Sequence, residues 1–75
     1  MTLKREIARE IRVIEEEIKI LEIKRSRSQA ALIEALISKK EPGTEDVEYF
    51  RAFTAEIDVK RTRLQKLIGE LEKIS

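Results

Sequence analysis

Apolar residues recur along this chain at alternating steps of four and three: Ile7, Ile11, Ile14, Ile18 and Leu21. After two polar interruptions, Arg25 and Ser28, the stripe resumes at Leu32, Ala35 and Leu36. That spacing keeps the apolar positions on one side of a helix. A second stripe, Phe50, Phe53, Ile57, Leu64, Leu67, Leu71 and Ile74, holds the same rhythm with one break, at Lys60. Between the stripes lies KKEPGTED, residues 39–46. Pro42 disfavours helix at Glu41, Gly43 permits a left-handed backbone, and Thr44 can cap a new helix. Glu45 and Asp46 suit the positive end of that second helix, and Lys39 and Lys40 the negative end of the first. The pattern predicts an all-α chain: one helix over about 3–40, a turn at 41–44 and a second helix over about 45–74. A short turn between two stripes folds them into a single antiparallel two-helix hairpin of coiled-coil type. With its apex near 43 and 44, residue i is expected opposite about residue 87 − i. Ile14 then meets Leu71 and Ile74, Leu21 meets Leu64 and Leu67, and Leu32 meets Phe53 and Ile57.

Two features extend the picture beyond one hairpin. The first helix is the longer, so Leu3, Ile7 and Ile11 are expected to project past the second. Apolar residues also stand off the main stripe: Val13, Ile20, Ile23, Ala30, Ile33 and Ile37 on the first arm, with Ala52, Ala55 and Val59 on the second. A lone hairpin buries one face of each helix, and helices apolar on more than one face contact more than one neighbour. The expectation is a homodimer closing into a four-helix bundle. Its interface would be drawn from Leu3, Ile7, Val13, Ile20, Ile23, Ile33, Ile37, Ala52, Ala55 and Val59. A helix of a partner protein, bound in an adaptor or small-chaperone role, is the other occupant such a surface suits.

One cationic phrase occurs twice. KRSRSQ at residues 24–29 returns as KRTRLQ at residues 60–65, and the likeness extends from Leu21–Glu34 to Ile57–Glu70 at an offset of 36 residues. The expected register brings Lys24, Arg25, Arg27, Lys60, Arg61 and Arg63 to one level, a basic waist related by a local pseudo-two-fold axis. Glu22, Glu56 and Asp58 are spaced to pair with some of these cations along the helix. Three readings of the waist follow. Arg25, Ser28 and Lys60 interrupt the seam and fix its register, as polar core positions do in coiled coils. Alternatively the cations, with Ser26, Thr62, Gln29 and Gln65, hold the phosphates of RNA or DNA, or they dock an acidic partner protein.

Composition restrains these readings. The 75 residues carry 16 Lys plus Arg against 15 Asp plus Glu, so bulk charge supplies no general attraction to nucleic acid or anionic lipid. With no Cys and no His there is neither thiolate nor imidazole for catalysis or metal binding. Two glycines are too few for a phosphate-cradling loop, and no nucleophile stands beside a base. Glu15, Glu16 and Glu17 point about 100° apart on a helix, so they do not converge on a metal; Glu15 is expected to pair with Lys19. Tyr49, Phe50 and Phe53 are expected to close the core near the turn. No apolar run reaches membrane-spanning length, and MTLKREIARE lacks the apolar centre of a secretory signal, so a cytoplasmic location is expected. A non-enzymatic protein without cofactor, metal or small-molecule substrate is the reading these residues favour.

Ile14, Ile18, Leu21 and Arg25 match a spacing in the first helix of helical chorismate mutases, which this arm faintly resembles. Ala8 stands where that family carries an arginine, and a third helix to complete the pocket is missing. By shape alone the hairpin is also similar to plasmid RNA-binding hairpins and to the small helical chaperones of type III secretion needle subunits, with no residue motif to secure either.

Overall fold

The structure, a computed structural model, describes residues 2–74. Two helices, α1 (Thr2–Ile37) and α2 (Thr44–Ile74), pack antiparallel against each other, and there is no strand among the described residues. The all-helical hairpin read from the two stripes is the observed fold. It is a rod of 57 × 16 × 14 Å.

The reversal is built differently from the expectation. Helix α1 stops at Ile37, not near residue 40. The amide of Lys40 donates to the carbonyl of Ala35 at 2.9 Å and that of Lys39 to Leu36 at 3.1 Å, the paired bonds of a Schellman closure. Lys39, at φ 56°, is the left-handed residue that this closure needs, while neither glycine has positive φ. Gly43 instead caps α2: its carbonyl accepts the amide of Val47 at 3.2 Å, which makes Thr44 the first helical residue and not the cap. A Cβ on Gly43 would come within 3.3 Å of Asp46 Oδ2, the far end of a flexible side chain that can give way. A lysine in left-handed backbone is strained by its own Cβ. Lys39→Gly is therefore expected to stabilise the hairpin by about 0.5–1 kcal/mol after the added freedom of the unfolded chain is deducted. A thermal midpoint raised by about 2–8 °C would register it, and a lowered midpoint would contradict the Schellman closure.

Three ion pairs cross between the helices and report the register: Glu10 with Arg63, Glu17 with Lys60 and Glu22 with Arg61. All three place residue i opposite a residue between about 73 − i and 83 − i, short of the expected 87 − i. The expected layers are thereby displaced, so that each α1 residue stands level with an earlier α2 residue than expected. The cause is the early end of α1, which starts the return path sooner and carries α2 further along its partner. The overhang shrinks accordingly. Ile7, expected to project, is only 7% exposed and belongs to the core with Ile14, Ile18, Leu21, Ile57 and Leu67. Ile11, Phe53, Leu64 and Leu71 complete that core, and Tyr49 stacks on Phe53 with ring centroids 6.1 Å apart.

Candidate association surface

The two cationic phrases do not share a level. Lys60 reaches Glu17 and Arg61 reaches Glu22, both before Lys24, so the second copy lies alongside the part of α1 that precedes the first. KRTRLQ lies in the open half of the hairpin and KRSRSQ in the half next to the turn. Their surroundings differ. All three cations of the second copy reach α1 carboxylates: Lys60 Nζ lies 3.3 Å from Glu17, Arg61 3.1 Å from Glu22 and Arg63 3.3 Å from Glu10. The glutamate run thus divides its work, Glu17 crossing to Lys60 while Glu16, in place of the expected Glu15, pairs with Lys19 at 3.6 Å. Arg61 takes up Glu22 across the helices, a pairing that sequence spacing assigned within α1. Each such partly exposed pair contributes a few tenths of a kcal/mol, and together they favour one register over its neighbours. Lys24 and Arg27 are exposed and Arg25 half-buried, and no ion pair to them occurs among the described residues.

Of the residues expected at a partner interface, Ile7 is consumed by the intramolecular core. The other nine, Leu3, Val13, Ile20, Ile23, Ile33, Ile37, Ala52, Ala55 and Val59, are all exposed; Ile23 shows 56% of its surface and Val59 70%. Most of them fall on two rows that face away from the seam. On α1 the row reads Arg9, Val13, Glu16, Ile20, Ile23, Arg27, Ala30, Glu34, Ile37, stepping by four and three without interruption. On α2 it reads Glu45, Glu48, Ala52, Ala55, Val59, Thr62, Lys66, Gly69, Lys73, with the same rhythm. The α1 row carries large aliphatic side chains at its centre and the α2 row small ones. Gly69 has nothing of its own chain within 4 Å of where a Cβ would stand, so its smallness is not needed inside the hairpin. Leu36 and Ile74, placed on the apolar stripes, and Tyr49, expected to close the core near the turn, are exposed, as is Ile68, which the apolar pattern passed over.

One open groove of about 640 Å³ runs along the free ends of the helices, with Ile7 and Ile14 on its floor. Its rim carries Glu10, Glu17, Lys60 and Arg63, the members of two crossing ion pairs, together with Glu6 and Arg9. Among the described residues no cluster of carboxylates has the makings of a metal site, and no helix is long and apolar enough to cross a membrane.

These features define a helical hairpin with a doubled outer seam. No protein-family model matches the chain, and comparison with curated proteins and with solved structures returns no significant match.

Proposed function

We propose that this chain is a non-enzymatic association module, whose hairpins pair through exposed apolar residues outside the intramolecular seam into a homodimeric four-helix bundle. One observation carries this reading. The hairpin exposes 6201 Å², whereas a compact monomer of 8.8 kDa exposes about 4,800 Å². Removing that excess takes about 1,400 Å² from each copy, or about 2,800 Å² per pair, which lies in the range of obligate homodimers. Exposed Ile20, Ile23 and Val59 lie at the middle of the surface that would be covered. Sedimentation equilibrium of the purified chain tests the proposal: a dimer at micromolar concentration is expected. A folded monomer under the same conditions would defeat it and leave a partner protein's helix as the occupant of this surface.

RNA or DNA binding is the second reading, and it now rests on Lys24, Arg25 and Arg27, because the cations of the other copy are engaged by carboxylates. Its mark is retention on a nucleic-acid column that falls steeply with salt and is lost in an Arg25→Gln/Arg27→Gln variant. Equal elution of parent and variant would remove it.

A further inference from the structure

We infer that the second copy docks antiparallel along α1, with the α1 outer row of one hairpin seated on the α1 outer row of its mate about a two-fold axis that crosses the helix between Ile20 and Ile23. This rests on the homodimer proposed above and adds its orientation and its central contact. One row of each hairpin meets one row of the other, as a single two-fold mate allows.

Read backwards, the α1 row is its own charge complement. From Arg9 to Glu34 it runs Arg, Val, Glu, Ile, Ile, Arg, Ala, Glu, spaced symmetrically about the gap between Ile20 and Ile23. An axis through that gap sets residue i level with residue 43 − i of the mate. Ile20 then meets Ile23, Glu16 meets Arg27, Val13 meets Ala30 and Arg9 meets Glu34. All of these residues are exposed in the single hairpin. The two-fold repeats each pair, so apolar and ionic layers alternate outward from the isoleucines in both directions. Beyond them Ile37 falls level with Glu6 at the rim. Parallel docking in register would instead set Arg9, Glu16, Arg27 and Glu34 each against its own copy, like charge on like, with the two helix dipoles aligned.

The same axis matches two features that the isolated hairpin leaves apart. The cationic phrase at 24–29 comes level with residues 14–19 of the mate, which hold the run Glu15, Glu16 and Glu17. Within one hairpin no ion pair to Arg27 occurs among the described residues, and Glu16 holds Lys19 at 3.6 Å in a pair open to solvent. The second phrase needs no such complement, because its cations already reach Glu10, Glu17 and Glu22. Lys19 and Lys24 also share a level, but they straddle the row on α1, and antiparallel docking keeps opposite flanks apart.

The chain has no Cys, so a single spin label at the turn is unambiguous. In the dimer of Glu41→Cys, pulsed electron resonance is expected to read about 50–60 Å between labels, because each turn lies roughly 20 residues of helical rise from the axis. Side-by-side turns would give less than about 25 Å and overturn the orientation while leaving the dimer intact; a monomer in sedimentation would overturn the dimer itself. Charge exchange tests the pairing. Glu16→Lys sets like charges against each other at both copies of the Glu16–Arg27 contact and is expected to weaken association by roughly 10- to 100-fold at low salt. Glu16→Lys/Arg27→Glu restores opposite charges and is expected to recover it. Both sites are exposed in the single hairpin, so its own helicity should not change. A dimer unaltered by the first variant, or not recovered in the second, would overturn the seating of α1 on α1.

Discussion

Replacing Ile57 by Ala is expected to cost about 2–5 kcal/mol and to leave the chain largely unfolded at moderate temperature. Among the described residues Ile57 is the fully buried side chain, at 0% exposure, in a core shared with Ile18 and Leu21. Truncation removes three buried carbons and opens a cavity that two stiff, straight helices have little means to close. A domain of this size has roughly 4–11 kcal/mol of total stability, so a loss of that order consumes much of it. Urea denaturation followed by circular dichroism measures the effect. Leu36→Ala, a change of similar chemistry at an exposed site on α1, serves as the reference and is expected to stay within about 0.5 kcal/mol of the parent. If the two variants lose the same stability, the core is not organised around Ile57.

The second large effect is expected from Ile23→Lys/Val59→Lys. Both side chains are exposed in the isolated hairpin, and lysine is a good helix former, so the fold of each copy has no reason to suffer. In the proposed bundle, however, both positions belong to the expected interface, and the two copies together place four new ammonium groups on what was apolar surface. Each lacks a carboxylate there, and unpaired buried charge is among the most disruptive changes an interface can receive. Association weakened by at least about 100-fold is expected, seen as a shift from dimer to monomer by sedimentation at micromolar concentration. Helicity should be retained if the hairpin stands alone. If it folds only as a dimer, the parent's melting temperature will rise with concentration and the variant will lose helix. A variant that still sediments as a dimer would move the interface to another face, with Leu36 and Ile68 the next exposed aliphatics to examine.

Both expectations depend on distinguishing two kinds of apolar position, and the sequence alone separated them well in most places. Ile14, Ile18, Leu21, Ile57 and Leu67 follow the stripe and are buried; Val13, Ile20, Ile23 and Val59 depart from it and are exposed. Ile7 was assigned to the wrong group because burial near a free end depends on how far the other helix extends. The residue of reversal was misread for a related reason. Gly43 has the side chain best suited to positive φ, yet Lys39 adopts it, since the closing bonds to Ala35 and Leu36 offset the strain at the end of α1. Propensity ranks residues one at a time, whereas the Schellman closure is stabilised by the whole last turn.

The amino-acid sequence by itself determined two amphipathic helices, their antiparallel return, and which of their faces would be left bare. Those outcomes follow from period and from one breaker segment, quantities that any window of the chain contains. The height at which one helix meets the other was decided only in three dimensions. Two heptad stripes match equally well after a slip of seven residues, so apolar periodicity is blind to that choice. Turn geometry and the crossing pairs Glu10–Arg63, Glu17–Lys60 and Glu22–Arg61 break the degeneracy, and with it they separate the two cationic phrases that a uniform reading had brought together.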